Sequence, residues 1–344
     1  MTDTTVMAPD GKPVTYLRIE NDGLQLELMD WGATWLSCLV PMKDRSRREV
    51  LLGCHDLQGW FAQKSYLNAT VGRYANRIKD AKIARDGKVY ALDANQGGKH
   101  QLHGGAGGFS HQRWTILEKS REHVRFGILS ADGDQGFPGN LNLRVIYRVL
   151  PGQRIQMECE GEVDALSPLG LTNHAYFNLN GVKGDIRQHR LQIAAARYMP
   201  IDAEMIPPGP PVGVEGTSFD FRTQHVIGER FLADEQQKLA GGYDHSFLLD
   251  DARMDVVASV LNSADDKLEM RLYTDSPAVQ FYSGNFLAGT NSREGGQYAA
   301  CEGLCLEPGF LPDSPNHPEW PQPDCWLAPG QVYRQTMAWE FVAK

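Results

Sequence analysis

Leu141-Asn142-Leu143-Arg144-Val145-Ile146-Tyr147-Arg148-Val149-Leu150-Pro151-Gly152-Gln153-Arg154-Ile155-Gln156-Met157-Glu158-Cys159-Glu160 is written in a period of two. Leu141, Leu143, Val145, Tyr147 and Val149 alternate with Asn142, Arg144 and Arg148. Beyond Pro151-Gly152, Ile155, Met157 and Cys159 alternate with Gln156, Glu158 and Glu160. Successive side chains of a strand point to opposite faces, so each run makes one apolar and one charged face. Two such runs joined by a Pro-Gly turn predict an antiparallel hairpin, one face in a core and the other in water.

The same signals recur outward from this hairpin. Asp22-Gly23 precedes Leu24, Leu26 and Leu28; Asp86-Gly87 precedes Val89; Asp265-Asp266 precedes Leu268, Met270 and Leu272. Gln335, Met337, Trp339 and Phe341 alternate with Thr336, Ala338 and Glu340 as a closing strand. Helical spacing is confined to two short stretches, near His55–Phe61 and Gly228–Leu239, and the Pro-rich Ile206–Pro211 segment reads as a surface loop. Many short strands between Gly and Pro punctuation predict an all-β fold, a large antiparallel β-sandwich with few short helices. No repeat, low-complexity tract or linker divides it, so residues 1–344 are expected to form one domain.

The chain has 344 residues, 42% of them hydrophobic, which is enough for a large core. A net charge of −9 and a pI near 5.6 argue against nucleic acid or an anionic membrane as partner. Met1 to Val14 contains no apolar signal-peptide core, and no run of about 18 apolar residues suggests a membrane span. Six cysteines in a long chain of this kind read as reduced, mostly buried thiols, and the expected location is cytoplasmic. No coiled coil or interface stripe is visible, so a monomer or homodimer is expected.

The chemistry-bearing residues lie between these strands. In Leu171 to Leu179, period-two spacing puts Thr172, His174, Tyr176 and Asn178 on one face, a hydroxyl, imidazole, phenol and amide suited to a polyhydroxylated ligand. Cys305-Leu306-Glu307-Pro308 sets a carboxylate among strand formers. Joint use of Asn76 and Arg77 requires a turn or bulge, because neighbours on a regular strand diverge. Gln101 to Phe109 is a Gly-rich loop headed by His103, read as a backbone that approaches a ligand closely. No clear helix follows it to cap a phosphate, and His100 and His103 lack further ligands for zinc, so no metal is expected. Asp244 opens one strand, and Gln280 and Tyr282 share a face of another. Asn68-Ala69-Thr70 is a chance match to a glycosylation sequon.

Read in order, Arg73-Tyr74-Ala75-Asn76-Arg77, Leu102-His103-Gly104-Gly105, Thr172-Asn173-His174-Ala175-Tyr176-Phe177-Asn178, Tyr243-Asp244-His245, Gln280 to Asn285, Leu306-Glu307 and Pro312 to Pro318 resemble the aldose 1-epimerase (galactose mutarotase) family, bacterial type. The resemblance spans about Met29 to Phe341. It implies a β-sandwich with an open sugar cleft, an aldose such as galactose or glucose as partner, and no cofactor. It further implies Glu307 as general base and His174 as general acid, with Asn76, Arg77, His103, Asp244 and Gln280 binding the sugar. Pro308, which departs from the pattern, is expected to end strand pairing at Glu307. The imidazole suits the acid role because it ordinarily titrates near neutral pH. A glucose-6-phosphate 1-epimerase, a glycoside hydrolase using Glu307 and Asp244, and a non-catalytic sugar-binding module are the rival readings. The first needs a cationic phosphate site, the second leaves His174 without work, and the third needs no acid–base pair.

Overall fold

A computed structural model describes residues 6–344, so the first five residues of the polar N-terminal segment lie outside it. The Leu141–Leu150 and Arg154–Val163 strands pair antiparallel in continuous register, from Leu150 opposite Arg154 to Leu141 opposite Val163. Gly152 and Gln153 close the hairpin at φ 80° and 61°, a left-handed turn in which glycine is unstrained. The residues expected to face inward, Leu141 to Val149 and Ile155 to Cys159 at every second position, are buried.

This hairpin lies inside a nine-stranded antiparallel sheet, with the closing Tyr333–Ala343 strand paired to Arg154–Val163 on one side and Leu268–Thr274 on the other. A four-stranded sheet running from Tyr16 to Glu49 shares its core, contributing Leu24, Leu26, Leu28 and Trp35. At the centre Trp35 meets Tyr147 and Trp339 edge-on, with centroids 5.5 and 4.8 Å apart, the geometry aromatic quadrupoles favour. The architecture is the antiparallel all-β sandwich that the alternation predicts. All six cysteines are free and buried. Among the described residues no helix is long and apolar enough to cross a membrane.

Among the described residues the two α-helices span only six residues each. Leu57–Ala62 starts where the Asp56 carboxylate accepts the Gly59 N–H, close to the predicted place. The Gly228–Leu239 expectation is corrected: the stretch divides into a 3-10 turn, Ile227–Arg230, and a helix, Glu235–Ala240. Asp234 causes the break, because its side chain accepts the Gln237 N–H and caps a new helix. Ile206–Pro211 is irregular, as expected, although Ile206 and Pro207 are themselves buried.

A five-stranded sheet runs Val212–Gly213, Arg197–Tyr198, Asp244–Leu248, Ala278–Tyr282, Cys305–Gly309. Phe247, Val279, Phe281 and Leu306 on one face join the main core. Pro308 does not end the edge strand: pairing continues through Val279 opposite Pro308 and Ala278 opposite Gly309. Leu304 donates its N–H to Phe177, away from the Ala278–Tyr282 strand. Backbone direction alternates, so position 308 has that same outward side, and its missing N–H removes no ladder bond.

Candidate active site

Strand register builds the floor of the site. Gln280 stands opposite both Ser246 and Glu307, and Asp244 and Cys305 each stand opposite Tyr282. Residues directly paired share a face, so Asp244, Gln280, Tyr282, Cys305 and Glu307 all project to the side opposite the core. There Asp244, Gln280, Tyr282 and Glu307 line a cleft of about 310 Å³. Gln280 donates its amide N–H to Asp244 Oδ1 at 2.6 Å, which leaves Gln280 Oε1 buried without a partner.

Loops supply the wall. Arg77–Ile78 pairs with Gln101–Leu102, and the residue flanking each, Asn76 (φ 65°) and His103 (φ 52°), is left-handed. This is the turn that joint use of Asn76 and Arg77 demands. Asn76 donates its N–H to His103 Nδ1 at 3.2 Å, and Asn76 O accepts the His103 N–H at 3.0 Å. The ring is thereby fixed with Nδ1 as acceptor. Arg77 reaches Asp244 at 3.8 Å and Met205 Sδ at 3.4 Å, and its buried Nε has no partner. Asp313 braces this strand from behind: its N–H donates to Arg77 O at 2.8 Å and its carboxylate accepts the Lys79 N–H at 3.0 Å. That bracing is the work of the Pro312–Pro318 motif. In the Gly-rich loop Gly104 (φ 85°) approaches the neighbouring Gly72 segment, where a Cβ would lie 2.0 Å from Gly72 O, while Gly105 and Gly107 lie against the Gln135 side chain.

The Leu171–Leu179 reading is corrected too. Only Thr172–Asn173 is strand, and the chain then leaves the regular path. His174 and Tyr176 enter the cleft with rings stacked, 5.0 Å apart and 20° from parallel. Thr172 is buried elsewhere, and Asn178 donates its amide to the Gly184 and Glu302 carbonyls. Asn68 of the sequon is fully buried and accepts the Tyr176 N–H, so it shapes the site from beneath. Tyr66, Met205 and Phe286 also line the cleft. Tyr66 packs on His103 with centroids 4.6 Å apart. Nothing in its irregular surroundings marks it in the sequence.

Across the floor, His174 Nε2 lies 3.7 Å from Glu307 Oε1, longer than a hydrogen bond, with both residues buried. Burial pushes Glu307 well above the usual carboxylate range, Asp244 adds to this, and Arg77 opposes it. Asp244 is raised by burial against the pull of Arg77 and Gln280. Burial lowers His174 to about 4, and lowers His103 well below the ordinary imidazole value, with His174 and Arg77 adding. The expectation that His174 titrates near neutrality therefore fails, because a desolvated ring resists charge. Burial thus disfavours the charged form of both the Glu307 carboxyl and the His174 imidazole. His174, Cys305 and Glu307 bring ligand-type atoms within 4.8 Å of one another. They do not converge on a point, since Nδ1 faces the sulfur and Nε2 the carboxylate. His100 and His103 are not joined in a site either; the His100 Nδ1 accepts the Asp80 N–H.

Residues 15–340 match the sequence family described as aldose 1-epimerase. The chain is 48% identical to the aldose 1-epimerase of Escherichia coli K12, with all of both chains covered. It is 35% identical to the galactose mutarotase of Rattus norvegicus over 96% of this chain and 95% of the relative. The crystal structure of galactose 1-epimerase from Lactobacillus acidophilus superposes with a TM-score of 0.85 at 27% identity, covering 99% of this chain and 98% of that one. A polar cleft with a buried imidazole facing a buried carboxyl thus stands on a sandwich with these relatives, and the chain belongs to the aldose 1-epimerase family, isomerases that act on carbohydrates.

Proposed function

We propose that the chain interconverts the α and β anomers of D-galactose and D-glucose by acid–base ring opening and reclosure, as part of hexose and galactose metabolism. The observation that carries this is the His174–Glu307 pair, 3.7 Å apart and buried on the cleft floor. In the ion-pair form, Glu307 takes the proton of the C1 hydroxyl while His174 Nε2 gives one to the ring oxygen. The C1–O5 bond breaks, an aldehyde forms, and rotation about C1–C2 presents its other face. Closure then reverses both transfers. Opening converts carboxylate and imidazolium into carboxylic acid and imidazole, and closing restores them, so each turnover visits both forms. Burial raises Glu307 and lowers His174, which brings the neutral form within reach of the ionic one. Each proton transfer is expected to contribute about 10²–10⁴-fold.

Asn76, Arg77, His103, Asp244 and Gln280 bind and orient the sugar in this reading. Gln280 Oε1 and Arg77 Nε are a buried acceptor and a buried donor without partners, and such groups cost about 1–3 kcal/mol each until paired. A sugar hydroxyl both donates and accepts, so one ligand class serves both. The same reading takes residues 1–344 as one cytoplasmic domain, monomeric or homodimeric. Polarimetry of freshly dissolved α-D-galactose, with no cofactor added, tests it. Faster approach to the same equilibrium rotation, lost in Glu307→Ala, is the expected result. No acceleration with either galactose or glucose sinks the proposal.

A further inference from the structure

The imidazole of His174 has two nitrogens, and the reaction proposed above needs one of them free to give and take a proton. On the side away from Glu307, His174 Nδ1 lies 3.5 Å from Cys305 Sγ, and both residues are buried. Cys305 and Glu307 are two apart on one strand, and share its cleft face. The ring thus stands between a thiol and a carboxyl presented by the same backbone. A second contact fixes its plane: Tyr176 stacks on it, and the Tyr176 hydroxyl is itself anchored by donating to Ser65 O at 3.0 Å. Stacking permits rotation within the plane; the sulfur does not.

We propose that Cys305 is a positioning residue for His174: its sulfur accepts the Nδ1 proton, which stays in place through the cycle and leaves Nε2 as the working nitrogen facing Glu307. The inference rests on the acid–base reading of the site. In the imidazolium both nitrogens carry protons. Nε2 gives its proton to the ring oxygen as the C1–O5 bond breaks, and takes a proton back from the C5 hydroxyl as the ring closes on the other face. The Nδ1 proton moves in neither step. Burial raises the Cys305 thiol well above its usual range, with Glu307 and Asp244 adding, so the acceptor remains an uncharged S–H. A carboxylate at this place, as in a Ser-His-Asp triad, stabilises imidazolium. A neutral sulfur, a weak acceptor, orients the ring without doing so, and the imidazolium stays a strong acid for the poorly basic ring oxygen.

The test is the tautomer of His174 in the ligand-free enzyme, read by long-range ¹H–¹⁵N correlation of ¹⁵N-histidine-labelled protein at pH 7.5, with assignment from His174→Gln. The Nδ1–H form is expected in the wild type and in Cys305→Ser, and a mixture in Cys305→Ala. Cys305→Ala should lose about tenfold in kcat with KM within twofold, and Cys305→Ser should recover most of it. An Nε2–H tautomer in the wild type makes the thiol a donor and overturns the proposal, whether or not either variant folds. An unchanged tautomer and kcat in a folded Cys305→Ala overturns it as well. Full activity in Glu307→Ala strikes the acid–base reading itself, and the wild-type spectrum distinguishes that failure from this one.

Discussion

The Leu141–Val163 hairpin and the three floor strands of the site are both antiparallel sheet, yet they treat polar residues oppositely. The hairpin buries only apolar side chains and sends its charges into water, where Arg144 pairs with Glu160 at 3.3 Å and Arg148 with Glu158 at 3.1 Å. The floor strands are buried on both faces and keep Asp244, Gln280 and Glu307 inside. Two arginines of one motif repeat the contrast. Arg73 is buried and its terminal nitrogens donate to Pro138 O, Gly139 O, Ser130 O and Ser167 Oγ within 3.2 Å. Arg77, four residues on, instead has its Nη2 at the cleft, 3.8 Å from Asp244 and 3.4 Å from Met205 Sδ, and the Nε of both arginines is buried without a partner. The first kind of region holds the fold; the second holds polar groups at some cost in stability until a ligand pairs them.

The sharpest way to break this contrast is Glu307→Ala. Its kcat should fall by about 10²–10⁴-fold while sugar binding survives. Its denaturation midpoint should hold or rise, since a carboxyl that burial disfavours has been removed. A large loss of stability with kcat retained would place Glu307 among the structural residues. Arg73→Ala should do the reverse. Removing the guanidinium strands several buried carbonyls, so about 3–5 kcal/mol of stability should be lost in urea unfolding, with kcat of the folded fraction unchanged. His103→Ala should fall between, raising KM and lowering kcat together for about a hundredfold loss in kcat/KM. An unchanged kcat/KM would remove His103 from the sugar's partners.

Turnover also needs one proton on the Glu307–His174 pair. Below the lowered His174 value of about 4 both groups hold a proton, and above the raised Glu307 value neither does. The kcat/KM profile should therefore be flat in between, falling roughly tenfold per pH unit on either side. Its alkaline limb should lie above the ordinary carboxylate range. An acid limb near the ordinary imidazole value, about 6.5, would mean that His174 is solvated in the working enzyme. Pre-steady-state pH jumps separate this from acid unfolding.

The hairpin was legible in the sequence because a half-buried strand writes its burial into composition: Val145 and Tyr147 inside, Arg144 and Arg148 outside. The floor strands were legible only as motifs. With both faces buried, alternation no longer separates inside from outside, and the shared face of Asp244, Gln280 and Glu307 follows from a register between distant strands. Irregular backbone hid the rest. His174 and Tyr176 share the cleft after regular pairing has stopped, Thr172 and Asn178 do not, and Tyr66 arrives from a loop. The Pro308 error had the same source, since single-strand reasoning does not tell an outward N–H from a ladder N–H. Desolvation was equally invisible: the His174 shift comes from burial, a property of the assembled cleft.

The smallest predicted effect bears on the same contrast from the hairpin's side. Arg144 and Glu160 stand opposite one another on paired strands, and both side chains are more than two-fifths exposed. Water already solvates each charge, so pairing them gains little beyond screened attraction and costs side-chain freedom. A double-mutant cycle of Arg144→Ala and Glu160→Ala should give a coupling of about 0.2–1 kcal/mol. The coupling should shrink as salt is raised, and kcat should not change. Arg334 also approaches Glu160, at 3.7 Å, so the Glu160→Ala arm should lose slightly more than the Arg144→Ala arm. A salt-insensitive coupling above about 2 kcal/mol would exceed what exposed pairs supply. The outer face of the hairpin would then be a structural network, and the division between a sheet that sheds its charges and a sheet that keeps them would no longer describe this molecule.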